Sequence, residues 1–230
     1  MADLPSASEW PEGSEPALGW RAREVEQELP ELRLLIAETR VGRPGLLTDG
    51  STPAVEDRLR ELSSRLRGAW AVGVRREPVP VAYRVFFRQI GLDPEIVRTP
   101  IEAAALERML RGGFLSAGLL EDVLLIALVD TSVPVWALDA ECVDGPLGIR
   151  PSKEGESLGR FAGAPSLPAG RLVVADSSAA LAVLFGALAP GHQASADTRR
   201  LTLFAIQVAG VPSLYVEETL WTCRMALEAP

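Results

Sequence analysis

Two side chains in this sequence could act as a general base, and neither belongs to an obvious catalytic set. His192, the sole histidine, lies in the segment PGHQASADT, where Asp197 could orient its imidazole. The plainer interpretation of His192 is an exposed loop histidine without a catalytic role. Glu156 follows Gly155 in a predicted turn, where it could contact a ligand or bridge backbone groups. His192 and Glu156 are therefore the candidate catalytic residues.

Motifs that would hold a nucleotide or a metal are missing. The sequence contains neither GxxxxGK[ST] nor GxGxxG, so no phosphate-binding loop is predicted. Cys142 and Cys223 are 81 residues apart and fit no Cys-x-x-Cys or Cys/His spacing, which argues against a zinc site and a disulfide framework. The sequence therefore predicts no metal and no cofactor.

The charge balance excludes a generic binder of polyanions. The 230 residues include 23 Lys and Arg against 31 Asp and Glu, a net charge of −8. Residues 58–111, however, contain eleven arginines and six acidic residues. Such a region either contacts an RNA backbone or forms a solvated helix face. The candidate RNA-binding residues are Arg58, Arg65, Arg75 and Arg76; no DNA partner is predicted.

The N-terminal segment and the apolar runs indicate a cytoplasmic protein. Residues 1–19 lack a basic start and an apolar stretch of the kind that a secretory signal has. Their prolines, glycines and acidic residues predict a disordered tail, followed by a single domain over residues 20–230. The longest apolar run, Ala179 to Ala189, has 11 residues, well short of the roughly 20 that a membrane-spanning helix needs. We expect no membrane association, and the sequence leaves the oligomeric state open.

Hydrophobic periodicity and turn residues predict an α+β fold. Thr52 is a candidate N-cap, and Thr99 with Glu102 forms a candidate capping box. Helices are predicted over about residues 53–68, 83–90, 99–111 and 116–129. Short apolar or alternating runs predict strands near residues 32–37, 133–138, 147–150, 171–175, 180–185 and 201–208.

An ordered series of short motifs resembles one known domain. Between Glu121 and Thr198 the chain reads EDVLL, PVWALD, GIR, GES, LVVAD, LAVLFG and DT. This order is similar to VDxTN, PxHAFD, xVR, GE, LVIAD, LAGVMGG and DT in the B3/B4 domain of the phenylalanyl-tRNA synthetase β subunit. The resemblance covers about residues 95–212 and, more loosely, the chain from Trp20 onward. It identifies the chain as similar to free-standing B3/B4 proteins.

The resemblance implies both a fold and a task. The fold would be a three-layer B3/B4-like domain with a β-sandwich of unusual topology and flanking helices. In the synthetase this domain removes tyrosine wrongly attached to the phenylalanine tRNA. Such editing is needed because an apolar pocket rejects an added hydroxyl only by roughly a hundredfold. The implied partner is tRNA or aminoacyl-tRNA, and the implied activity is aminoacyl-tRNA deacylation in trans.

The residues at the family's pocket positions have changed type. Leu125 stands where VDxTN has Asn, and Trp136 stands where PxHAFD has His. In the LAGVMGG segment Phe185 takes the Met place and Gly186 is retained. By resemblance the candidate substrate-binding residues are Leu125, Trp136, Arg150, Phe185 and Gly186.

These replacements leave two hypotheses open. In the first, the chain recognises aminoacyl-tRNA and hydrolyses mischarged tRNA with the help of His192 or Glu156. In the second, it is a non-catalytic binding or interaction module that kept the fold and lost the editing pocket. An open cavity lined by Trp136 favours the first hypothesis, whereas a cavity filled by Trp136 and Leu125 favours the second.

Overall fold

The computed structural model describes residues 15–43, 45–47 and 50–228, which form an α+β fold. The helices of this part are α1 (Arg23–Glu28), α2 (Pro53–Arg65), α3 (Gly68–Gly73), α4 (Pro78–Gln89), α5 (Pro100–Arg111), α6 (Leu119–Thr131) and α7 (Ser213–Glu228). Its strands are β1 (Ala17–Leu18), β2 (Trp20–Arg21), β3 (Arg33–Arg40), β4 (Val135–Asp139), β5 (Gly148–Pro151), β6 (Leu172–Ala175), β7 (Ala180–Val183) and β8 (Arg200–Gln207).

Strands β3 and β8 form the centre of the first sheet. Its order is β1-β3-β8-β4, and all three strand pairs are antiparallel. β3 pairs with β8 along its whole length, from Arg33 opposite Gln207 to Arg40 opposite Arg200. Leu201 through Ile206 are all buried, which fits a central strand covered on both faces. Helix α7 packs against both strands.

The second sheet begins immediately after the first strand of the chain. Its order is β2-β5-β6-β7, with β2 parallel to β5 and the other pairs antiparallel. Gly19 alone separates β1 from β2, and its N–H donates to the Leu34 carbonyl over 2.8 Å. A Cβ atom at Gly19 would lie 2.8 Å from the carbonyl oxygen of Leu147. Only glycine lets the chain pass this closely from one sheet to the other.

Most of the predicted N-terminal tail lies beyond the part of the chain that the structure describes. Of the tail predicted over residues 1–19, residues 1–14 lie outside the described residues. Within the remainder, Ala17 pairs with Ile36 and Leu18 with Leu35 in the first sheet. The prediction of disorder therefore does not hold for Ala17–Leu18, because backbone pairing with β3 orders a segment whose composition alone is unfavourable.

The helices follow their local sequence signals closely. The Thr52 hydroxyl caps α2 by accepting from the Val55 N–H, and the capping box of Thr99 and Glu102 opens α5, so both predictions are confirmed. Helix α4 begins at Pro78, five residues before the predicted start, since proline suits a first helical turn. Among the described residues no helix is both long and apolar enough to span a bilayer.

Two of the hydrophobic cores matter for the candidate site. The main core joins both sheets to α4, α6 and α7. The helical core lies among α2, α5 and α6 and contains Leu59, Leu62, Val74, Ile101, Ala105, Phe114, Ile126 and Val129. Helix α6 contributes to both, so its opposite faces point into different environments.

Candidate functional site

Six aromatic side chains converge in the main core where the family motifs predict a pocket. We call this group the aromatic cluster: Tyr83, Phe86, Phe87, Trp136, Phe185 and Phe204. Phe185 lies at its centre, with its ring centroid between 5.1 and 5.8 Å from four of the other rings. These are the separations at which aromatic rings attract one another. The cluster is therefore a packed assembly of rings.

Strand pairing sets the position of Trp136. Trp136 of β4 lies directly opposite Phe204 of β8 in the antiparallel register. Their rings stack with 5.5 Å between centroids and 13° between planes. The edge of the indole also meets Phe185, at 5.7 Å and 72°. Phe204 is buried, whereas Trp136 and Phe185 keep part of their surface in contact with solvent.

Helix α4 supplies the other wall of the cluster. Tyr83, Phe86 and Phe87 have the i, i+3, i+4 spacing that brings side chains to one helix face. The Tyr83 hydroxyl donates to the Ile206 carbonyl over 2.7 Å, which ties α4 to the central strand. Burial raises the pKa of Tyr83 far above its ordinary value, so it stays protonated. The spacing of these residues was the signal in the sequence that could have assigned them to the site.

Phe185 is held in an unusual backbone conformation. Its φ of 58° lies in the left-handed region, which costs a residue with a side chain roughly 1 kcal/mol. The turn is closed by hydrogen bonds from Gly186 N–H to Val183 carbonyl and from Val183 N–H to Ala187 carbonyl. Gly186 is exposed beside it, and a Cβ there would lie 3.0 Å from the Val183 side chain. Packing of the four surrounding rings offsets this backbone cost.

Leu125 lies away from the aromatic cluster. Its neighbour Leu124 packs against the main core, whereas Leu125 packs against the helical core. Successive residues of an α-helix point about 100° apart, so the two leucines serve different faces of α6. Leu125 instead lines a cavity of about 230 Å³ together with Arg108 and Phe114. The structure therefore brings Trp136 and Phe185 together and leaves Leu125 in another environment.

Arg150 and Glu156 neutralise each other. Their two-point ion pair includes a 2.8 Å bond from Nη1 of Arg150 to Oε2 of Glu156, and each side chain is only 15% exposed. Glu156 also accepts the Lys153 N–H over 2.7 Å. The hydrogen bond from Arg150 lowers the pKa of Glu156 below its ordinary value, which weakens the carboxylate as a proton acceptor. Glu156 thus bridges backbone and side-chain donors within its turn.

His192 is buried, so the expectation of an exposed histidine is wrong. Its residue exposure is 4%, and its carbonyl accepts the Asp139 N–H over 3.0 Å. The Nδ1 atom lies 3.2 Å from the Pro190 carbonyl, which is the ring's hydrogen-bond partner within the described residues. Asp197 does not orient the ring there. The adjoining Thr198 donates instead to Asp139 over 2.5 Å, and these contacts fix the loop against β4.

Ser157 lies in a short motif that resembles the nucleophile motif of hydrolases. Residues 155–159 read GESLG, the GxSxG spacing of a nucleophile elbow, which requires a serine on a sharp turn from a strand to a helix. Ser157 instead forms an isolated β-bridge with Ser166, and no helix begins between residue 157 and β6. Its hydroxyl makes no hydrogen bond to His192 within the described residues. The spacing here is coincidental with respect to hydrolase chemistry.

The buried carboxylates serve the fold. Burial alone would raise the pKa of Asp176, but the N–H groups of Asp144, Ser178 and Ala179 and the Arg160 guanidinium together lower it. Asp122 accepts from the Ser116 hydroxyl and the Ala117 N–H. No group of three His, Cys, Asp or Glu residues that could hold a metal ion occurs in the described part of the chain.

Acidic neighbours partly neutralise the arginines proposed to contact RNA. Arg58 donates to both carboxylate oxygens of Asp130, at 2.9 and 2.8 Å, and to Glu61. Arg65 bonds to the same Asp130 over 3.2 Å, and Arg75 lies 3.8 Å from Glu95. Arg76 has no ion pair within the described residues. Asp130 belongs to α6, so its contribution was invisible in a count limited to residues 58–111.

Part of the chain is similar in sequence to a known synthetase subunit. The phenylalanine–tRNA ligase β subunit of Xanthomonas axonopodis pv. citri is 35% identical over 101 residues, 43% of this chain. That of Streptomyces avermitilis is 29% identical over 141 residues, 60% of this chain. The chain resembles part of the phenylalanine–tRNA ligase β subunit. No family model matches the chain.

The extent of this likeness is limited. The matched region spans 12% of the length of the Xanthomonas axonopodis subunit and 16% of the Streptomyces avermitilis subunit. The resemblance to the phenylalanine–tRNA ligase β subunit is therefore confirmed for one part of that subunit.

Proposed function

We propose that this chain is a B3/B4-like module that recognises tRNA and its aminoacylated 3′ end without hydrolysing the ester. The partial similarity to the phenylalanine–tRNA ligase β subunit supports a tRNA-related function. The order of seven motifs between Glu121 and Thr198 supports the B3/B4 assignment. Leu125 and Trp136, which replace the family's polar residues, favour binding without hydrolysis.

The observation that carries the proposal is the indole of Trp136 within the aromatic cluster. At this position the family has a histidine, whose ring can accept a proton or hold a water molecule. An indole has one N–H donor and no acceptor, so it cannot act as a base. The stacking of Trp136 on Phe204 and its edge contact with Phe185 fill space that a polar pocket would need.

Neither candidate base compensates for this loss. Glu156 is held ionised by Arg150, which makes it a poor acceptor for a proton from water. His192 is only 4% exposed, so water has little access to its ring. A general base must reach the attacking water with an available lone pair. Both side chains are better explained as supports for their turns.

Recognition of the tRNA terminus rests on the exposed part of the same cluster. Trp136 and Phe185 each keep part of their surface open to solvent, while the rings beneath them hold both side chains in place. Aromatic rings fixed in this way stack on nucleic acid bases at about 1–3 kcal/mol per base. The adenine of the terminal nucleotide of tRNA is the base that would stack on this surface.

Fluorescence anisotropy with tRNA labelled in the anticodon loop tests the proposal. We expect binding that weakens as the salt concentration rises, because phosphate contacts release counterions. Removal of the terminal adenosine should weaken binding roughly tenfold, since one stacked base is lost. Absence of binding at 50 mM salt would overturn the proposed function. Equal affinity for the intact and the shortened tRNA would overturn the role of the aromatic cluster.

A further inference from the structure

One end of the first sheet gathers arginines from three distant parts of the sequence. β3 ends and β8 begins at this end, so Arg40 lies directly opposite Arg200 in the strand register. Like charges that face each other across an antiparallel pair repel and destabilise the sheet. Arg199 precedes Arg200, and α7 brings Arg224 to the same place. Solvent screens part of this repulsion, and an anion between the guanidinium groups would remove the rest.

The arginines surround a concave site. Arg40, Arg200 and Arg224 line a cavity of about 350 Å³, together with Glu38, Thr39 and Glu228. We call this cavity the arginine site. Its volume exceeds what a single phosphate group requires and leaves room for the neighbouring sugar.

The two acids of the arginine site do not cancel its positive charge. Glu228 is occupied by the Thr39 hydroxyl at 3.2 Å and by Nε of Arg224 at 2.9 Å. Glu38 lies 3.9 Å from Arg200, at the outer limit of an ion pair, and Arg200 is 50% exposed. Arg40 has neither an ion pair nor a side-chain hydrogen bond within the described residues. The guanidinium group of Arg40 is therefore available to bind an anion in the arginine site.

The surrounding segments extend the same charge. Residues 38–43, 197–200 and 224–228 together contain five arginines and three acidic residues, a local excess of two positive charges on a chain with a net charge of −8. The arginine site differs in this respect from the helix face of Arg58 and Arg65, where both guanidinium groups donate hydrogen bonds to Asp130. The arginine site was not visible in the sequence because its members are up to 184 positions apart, from Arg40 to Arg224.

We infer that the arginine site binds a phosphodiester group of an RNA backbone, clamped between Arg40 and Arg200. Planar guanidinium groups match phosphate oxygens in a two-point geometry, and a phosphate between them converts their repulsion into attraction. The inference rests on the proposed tRNA-related function, which selects RNA over an acidic protein as the source of the anion. The contact positions the RNA and reads no base.

The test compares two variants with the same change in charge. In Arg40→Gln/Arg200→Gln both guanidinium groups of the clamp are removed, and Arg60→Gln/Arg111→Gln is the matched control. Arg60 and Arg111 are exposed and paired within their own helices to Asp57 and Glu107. Anisotropy is measured with labelled, uncharged tRNA over a series of salt concentrations.

We expect the clamp variant to bind roughly tenfold more weakly than wild type at low salt, because two charged contacts are lost. The slope of log K against log salt should fall in magnitude by about 1.4, or 0.7 for each lost contact to a single strand. The affinity of the control variant for tRNA should stay within about threefold of the wild-type affinity. Arg40→Gln alone should show about half the loss on a logarithmic scale, which preserves the test if the double variant unfolds.

The outcomes separate this inference from the proposed function. If wild type binds tRNA and the clamp variant matches the control in both affinity and salt slope, the arginine site is not the RNA contact, whereas the proposed function stands. If wild type itself does not bind tRNA, the proposed function fails and the inference fails with it.

Discussion

Replacement of Trp136 by alanine should reveal that its ring is part of the core. Complete removal of a buried tryptophan costs about 3–5 kcal/mol, and because Trp136 is only partly buried we take about 2 kcal/mol for its burial. The indole also makes two ring pairs, one stacked on Phe204 and one edge-on to Phe185. Each pair contributes about 0.5–1.5 kcal/mol beyond the burial of surface area, so the expected loss is about 3–5 kcal/mol.

Urea denaturation followed by circular dichroism measures this loss, with Trp70→Ala as the matched control. Trp70 is also partly buried but has a single edge contact, to Phe114 at 6.3 Å. Its replacement should therefore cost about 0.5–1.5 kcal/mol less than that of Trp136, the contribution of one ring pair. A loss below about 1 kcal/mol for Trp136→Ala, or equal losses for the two variants, would refute the view that the cluster is a packed core.

Three further predictions follow from local geometry. Phe185→Gly should be less destabilising than Phe185→Ala by about 1 kcal/mol, because glycine adopts the φ of 58° without cost, and the reverse order in urea midpoints would contradict this. Glu102→Ala should lower stability by about 3 kcal/mol or more, since it leaves buried Arg84 with one fewer carboxylate and removes the capping box; a change under 1 kcal/mol in chemical denaturation would count against it. The lowered pKa of Glu156 beside Arg150 stabilises the fold fully above the ordinary value of 4.5, and this stability is lost as the pH falls towards the lower folded-state value. Glu156→Gln should therefore show a flatter loss of stability than wild type below about pH 4.5, and parallel curves would contradict the pairing.

Signals confined to neighbouring residues were readable from the sequence. Thr99, Pro100 and Glu102 specify the start of α5 because the capping hydrogen bonds span only three residues. The apolar run from Leu201 was recognised as a strand for the same local reason. The α+β class follows from such elements, since helix and strand periods differ along the chain.

Contacts between distant segments could not be read in this way. Trp136 meets Phe204 through a strand register, and Arg58 meets Asp130 through packing of α2 on α6. The burial of His192 depends on its carbonyl bond to Asp139, which a loop composition does not indicate. The resemblance to a known family identified the positions of Trp136 and Phe185, but only the packed structure shows which side chains surround them.

The most direct test of the central claim is a deacylation assay. Its substrate is the tRNA for phenylalanine, mischarged with tyrosine. Protein is added at a concentration that saturates binding in the anisotropy measurement, and the surviving ester is followed over time. If the chain binds tRNA without catalysis, the ester half-life should stay within about twofold of the spontaneous value, because Arg150 holds Glu156 ionised and His192 is buried away from water. A protein-dependent acceleration of tenfold or more, abolished by Glu156→Gln or His192→Ala, would contradict the account.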